Sequence, residues 1–414
     1  MHLKELNIEE FTNFSKNHPL SNFYQSVNYG MLMAENGYEY DLIGLVDNEE
    51  NILASSLILI KPIGIKCFYG YAPRGFLVDY NNEYILQSFT EKLKEYYYNK
   101  DTIFIKVNPN LPIGEIDKNS FNTNYNNNYN LINTLEKYNY KRLKDNLYFE
   151  AQLPRFNAFI DLKNFDTKFL NKNTKNKIRK GIRKGLFFQK YSKDYLSVFY
   201  ELVKNKKDKT EYYYKDYYTV FEKDDEVDLF LVSIDYYSFL ENSQYIYNLE
   251  QDKNNKLNNK LVKSNKLKTI NAKMTSDKTL LNYKNDIMEA TKGIQGDNKI
   301  YIAGALVIKH NNLAHIVFSG YDTNYKRYSP NYFLHYNIIN YYKDNYDYLD
   351  LNGIVGDFKN DNPYSGLNRF KLGFNPILLE YIGEFDLIVE PKSYEILLNN
   401  KILAKEFNKK DIKE

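Results

Sequence analysis

The sequence predicts a mixed α/β (α+β) fold: two related layered units, with a long helical insertion inside the second. Three observations predict it. Strand-length apolar runs alternate with a helical period, the alternation restarts near residue 156, and residues 237–296 abandon it for a Lys/Asn-rich stretch without Pro.

In the first unit, residues 52–60 form a continuous apolar run of strand length, expected to end at Pro62 and Gly64. Ile85, Phe89, Leu93 and Tyr97 recur every four residues and mark one helix face. Residues 102–107 return to strand character, with Asn108-Pro109 as the breaker. The second unit opens with a strand-like alternation over 157–162, followed by a helix-like stretch. Residues 301–308 and 313–319 read as a hairpin turning at His310-Asn311-Asn312, because Asn tolerates the left-handed conformation of tight turns. Residues 332–342 are a helix candidate and 348–351 a short strand. The expected units are therefore 1–155, then 156–236 joined with 297–414, with 237–296 as the insertion.

In that insertion Gly occurs only at 293 and 296, and the apolar marks are thin: Leu249, Leu257, Leu261, Leu267, Ile270, Met274, Leu281 and Met288. Several follow four- or seven-residue steps, as in a two-helix antiparallel coiled coil. The alternative is a disordered insertion, since the stripe is sparse and Asn is a poor helix former.

A chain of 414 residues exceeds one ordinary core, and 43% hydrophobic with 26% charged residues is globular. With 42 Tyr and no Trp, and Asn and Lys throughout, a single Tyr or Lys carries little weight. One cysteine, Cys67 in an apolar run, excludes a disulfide framework and is expected to be a buried inert thiol. No stretch approaches the roughly 18 apolar residues of a membrane span, and the N-terminus lacks a signal core, so a cytoplasmic protein with at most peripheral membrane contact is expected.

Residues 168–193 hold ten basic residues and no acid. A solvated helix face normally mixes signs, because like charges one turn apart repel; a one-sign patch suits a polyanion such as a phosphate backbone. Conventional catalytic motifs are missing: no metal-type His spacing, nucleophile elbow, Walker loop or dinucleotide fingerprint. No metal or cofactor is therefore expected, and His315 and His335 read as structural. A reaction needing mainly positioning and electrostatics fits, such as attack of an amine on an activated ester.

Four stretches carry a resemblance: Phe23-Tyr24-Gln25-Ser26-Val27-Asn28-Tyr29; Tyr71-Ala72-Pro73-Arg74-Gly75 with the strand ending Asn108-Pro109; the basic run from Asn173 to Gly185; and Gly366 to Phe374 with Tyr381 to Asp386. In order and spacing they resemble the Fem-type (FemABX) family of peptidoglycan aminoacyltransferases. The resemblance implies two acetyltransferase-like (GNAT) domains and a protruding coiled-coil arm. It implies an aminoacyl-tRNA donor of the Gly, Ala or Ser class and an amine acceptor on a peptidoglycan precursor, with a homo- or heterodimer of related transferases as a further option. It makes Lys371 the first catalytic candidate, as an electrostatic partner for substrate phosphate. Arg74, Asn108, Tyr29, Phe318 and Tyr214 become substrate-binding candidates. Lys177, Arg179, Lys180, Arg183, Lys184 and Arg369 become tRNA- or phosphate-binding candidates. For Arg74, a turn arginine with an internal carboxylate partner is an equal reading.

The chain also departs from the family pattern. Met33 stands near the place of a lysine, residues 213–218 lack an arginine, and Asn108 replaces a strand-end acid. These favour a lipid-linked over a nucleotide-linked acceptor and exclude a carboxylate base at 108. The competing enzyme reading is an acyl-CoA N-acyltransferase, but residues 326–332 lack the glycines of a pyrophosphate cradle and keep only Arg327 as a cation. A catalytically inactive RNA- or cell-wall-binding relative is the non-enzymatic alternative.

Overall fold

The structure, a computed structural model, describes residues 1–64, 66–149, 152–206, 209–263, 266–296 and 299–399. Two sheets form its frame. The first runs in the order His2–Glu5, Glu39–Val46, Ile52–Gly64, Cys67–Arg74, Thr102–Pro109, Phe385–Ile388 and Tyr140–Arg142. The second runs Leu186–Tyr191, Val227–Asp235, Lys299–His310, Leu313–Tyr321, Tyr348–Ile354, Phe156–Asp161, Ile377–Tyr381, Pro112–Ile116 and Thr123–Tyr125.

The sheets exchange strands. Residues 112–125 reach into the second sheet, while Phe385–Ile388 returns to pair with Thr102–Pro109 in the first. A boundary at residue 155 therefore does not separate two self-contained sheets. The returning strand is tied by a buried ion pair, Lys106 Nζ to Asp386 at 2.9 Å, whose second oxygen accepts from the Tyr394 hydroxyl at 2.8 Å. Burial opposes the Lys106 charge, but Asp386 and Glu384 outweigh it and hold its pKa above the ordinary lysine value.

Each sheet contains one parallel strand pair, and the two pairs behave differently. Cys67–Arg74 and Thr102–Pro109 stay paired from Phe68 opposite Thr102 to Arg74 opposite Pro109, with one register shift between Phe68 and Tyr69. Leu313–Tyr321 and Tyr348–Ile354 pair only from Leu313 opposite Tyr348 to His315 opposite Asp350. Beyond Asp350 the second pair parts. The split is where a cavity opens.

Most expected elements appear with shifted ends. The helix Glu83–Tyr98 buries Phe89, Leu93 and Tyr97, and Asn311 takes the left-handed turn conformation at φ 49°. The strand Ile52–Gly64 runs past Pro62, which lies at a register irregularity beside Phe68, where a lost N–H is tolerated. Asn108-Pro109 ends a strand rather than interrupting it, because the Asn108 side chain accepts the Arg74 N–H at 2.9 Å across the pair. Cys67 is half-buried, not buried.

The insertion forms two helices, Tyr236–Lys263 and Leu267–Ile294. They run antiparallel, since Asn254 bonds Ser276 and Asp277 midway while Gly293 lies against Tyr236 at the base. The seam differs from the expected apolar stripe. Leu249, Leu267, Met274, Leu281 and Met288 are exposed and Leu257, Leu261 and Ile270 half-buried, whereas Ser243, Asn254, Ser276 and Ala290 are buried. Small residues let the helices approach closely, and the Asn254–Ser276–Glu250 hydrogen bonds satisfy the polar groups this encloses.

Candidate functional site

A cavity of about 550 Å³ opens where the second parallel pair parts. One wall is Ile316–Ser319 and the other Leu351–Gly353, closed by residues of several further regions. These are the first unit (Tyr24, Tyr29), the segment Gln152–Pro154, the helix Glu211–Glu222 (Tyr213, Tyr214, Tyr217), and the helices that carry His335 and Lys371. Local chemistry fixes each wall. Gln25 bonds the carbonyls of Pro73 and Leu57 and accepts the Leu57 N–H, while Ser26 caps the helix Val27–Glu35 by accepting the Tyr29 N–H at 3.1 Å. The Gln-Ser pair thus positions Tyr29 rather than reacting itself. Asn368 bonds both the N–H and the carbonyl of Val355, which locks the helix Ser365–Leu372 and aims Lys371 inward.

Lys371 is buried, and its Nζ donates to the Gly353 carbonyl at 2.6 Å. Burial pulls its pKa down to about 7, against a partial opposing pull from Asp350 and with a further lowering by Lys206. An amine so placed sits between charge states at neutral pH, and an anion entering the cavity would restore its charge. His335 Nδ1 donates to the Asn331 carbonyl at 2.9 Å, and burial lowers its pKa to about 3, so it stays neutral. Burial also raises the hydroxyls of Tyr24, Tyr29, Tyr213 and Tyr217, leaving them protonated hydrogen-bonding groups. No Asp or Glu lines the cavity among the described residues.

A second, open groove of about 530 Å³ is lined by Asn176, Lys177, Arg179, Lys180, Arg183 and Ser329. Its cations come from the helix Lys172–Arg183, which Asn171 caps by accepting the Thr174 N–H at 2.8 Å. Gly181 permits close approach, since an added Cβ would meet Phe333 at 3.1 Å. Burial and the neighbouring Lys184 and Arg183 charges lower the Lys180 pKa. Groove and cavity share a wall: the first turns of the helix Pro330–Tyr342. Ser329 at its N-cap faces the groove, while Asn331 and His335 face the cavity. Tyr332 joins them, taking a hydrogen bond from Lys177 at 3.0 Å and meeting Phe370 at 4.8 Å.

The structure brings Lys371, Tyr29, Tyr214 and Phe318 into one cavity, and Lys177, Arg179, Lys180 and Arg183 into one groove. Four other candidates fall outside both. Arg74 and Asn108 lie behind the wall: Arg74 donates to the Pro154 carbonyl at 2.8 Å and stacks 3.9 Å over Tyr381. Its internal partners are thus a carbonyl and a ring, not the expected carboxylate. Lys184 is buried and bonds Asp286 of the arm, and Arg369 is exposed on the opposite side of the Lys371 helix. The residues missed from sequence are His335, which lines the cavity, and Lys206. His335 falls on a helix face whose period gave no cue, and Lys206 lies in a Lys-rich run. No described cluster of three His, Cys, Asp or Glu could hold a metal.

The FemAB family profile matches residues 6–399. The chain belongs to the FemAB family. It is similar to the aminoacyltransferase FemA of Staphylococcus epidermidis, with 26% identity over 98% of this chain and 100% of that protein. The aminoacyltransferase FemB of Staphylococcus epidermidis shares 27% over 93% and 94%, and FemA of Staphylococcus aureus 25% over 93% and 94%. The crystal structure of FemX superposes with TM-score 0.74 at 20% identity, over 96% of this chain and all of that one. The fold is therefore FemX-like, and this FemAB protein is an enzyme of the aminoacyltransferase class. No described helix is long and apolar enough to cross a membrane.

Proposed function

We propose that this protein moves an amino acid of the Gly, Ala or Ser class from aminoacyl-tRNA to an amine on a peptidoglycan precursor, with the transfer carried out in the split-strand cavity. One observation carries this reading: a four-cation groove and a cavity holding a desolvated lysine share the first turns of one helix. The groove suits the phosphates of a tRNA acceptor end, and the adjoining cavity suits its esterified amino acid. The acceptor amine attacks the ester carbonyl and the tRNA hydroxyl leaves. Lys371, recharged by the incoming anion, stabilises the negative charge that develops. With no carboxylate among the described lining residues, proton removal is assigned to water or to the substrates. Met33, residues 213–218 and Asn108 favour a lipid-linked acceptor. On this reading the two units are acetyltransferase-like, the arm is a coiled coil that assists tRNA use, and the protein works at the cytoplasmic face of the membrane.

The test is charged tRNA plus lipid-linked precursor, read by the mass of the product. Addition of one residue is expected with at least one of glycyl-, alanyl- or seryl-tRNA. No addition with any of them would contradict the proposal.

A further inference from the structure

Beside the cavity lies a second one of about 620 Å³, lined by Val198, Glu201, Leu202, Asn205, Tyr301 and Tyr321 among others. Lys206 lines both. It follows the helix Leu196–Val203, and its Nζ donates to the Ser319 carbonyl at 2.9 Å, on the strand that forms a cavity wall. Among the described residues no carboxylate pairs with it. The cavity it faces contains a second lysine, Lys371, and no described acid. Lys206 lowers the proton affinity of Lys371, and both lower that of His335. Two amines thus face the first cavity with no described carboxylate in its lining, whereas Glu201 and Asp322 line the second, so an anion is best held on the first cavity's side of Lys206.

We infer that Lys206 is a substrate-binding residue: it holds an oxyanion of the substrate at the opening between the two cavities, so that the ligand continues into the second. This rests on the transfer reading above. The oxyanion is a carboxylate of the acceptor peptide or a phosphodiester of the tRNA acceptor end.

Binding is measured by calorimetry for wild type, Lys206→Met and Lys206→Arg, so the outcome does not depend on turnover. The probes are an uncharged acceptor-stem minihelix, a stem pentapeptide with free carboxylates, and the same peptide amidated. Loss of a charge-assisted hydrogen bond predicts about tenfold or greater weakening in K206M for one probe, with K206R largely restoring it. Weakening confined to the free-carboxylate peptide identifies the acceptor, and weakening confined to the minihelix identifies the donor. Unchanged affinity for all probes, or equal loss for free and amidated peptide without loss for the minihelix, overturns the inference. Turnover of wild type, measured alongside, tests the transfer reading separately.

Discussion

Each half of this protein buries a lysine beside its parallel strand pair, and the two lysines live under opposite conditions. Lys106 sits on a pair that stays closed along its length and meets Asp386 at 2.9 Å, so its charge is kept. Lys371 projects into a pair that parts after three residues and bonds a carbonyl, and burial outweighs the pull of Asp350, so its charge is suppressed. A closed pair with a compensated cation is structure. An open pair with a desolvated lysine, beside a basic groove, is where we propose that substrate binds. Arg74 and Asn108 fill in the first half the region that the second half leaves open.

The contrast is broken most sharply at Lys371. Lys371→Met should lower kcat by about 10²–10³-fold in a steady-state assay, as for removal of one preorganised charge-stabilising group. The same change should stabilise the fold at pH 7 by about 1–3 kcal/mol in urea unfolding, because it removes a poorly solvated cation. The sign follows from linkage. A lysine whose folded pKa lies near 7, below its unfolded value, binds fewer protons when folded, so wild-type stability rises from pH 7 toward the ordinary lysine value. The advantage of K371M should shrink over that window.

Lys106→Met should do the reverse, costing about 3–5 kcal/mol by stranding Asp386, while the folded fraction keeps its kcat. Arg74→Ala comes next, at about 2 kcal/mol from the lost bond to Pro154, with tRNA affinity unchanged in a filter-binding assay. Arg179→Ala combined with Arg183→Ala should weaken tRNA binding regardless of sequence and reduce the slope of log K against log salt by about one per lost phosphate contact. Smallest is Leu281→Ser on the arm, within about 0.5 kcal/mol in the same unfolding assay, because that side chain is exposed.

Much of this was legible in the sequence. Apolar runs and four-residue periods located the strands and helices of both units, and the one-sign run from Lys168 to Lys193 located the groove. Two things were not. Strand exchange between sheets is a long-range choice: Pro112–Ile116 and Phe385–Ile388 carry no local sign of which sheet they join. The arm seam misled for a related reason, since periodicity weighs Leu and Met, whereas close helix contact here selects Ser, Asn and Ala. Among candidate residues, Lys371 and Tyr214 reach the cavity, but Arg74 does not, because a motif position says nothing about which side of a wall a side chain occupies.

The most direct test is the pH dependence of kcat/KM for aminoacyl-tRNA, which reports ionisations of the free enzyme. If Lys371 works as a cation, kcat/KM should fall as pH rises through about 7, and Lys371→Arg, which keeps its charge, should lose that inflection. An identical inflection in wild type and K371R would contradict the assignment of the desolvated lysine as the working group.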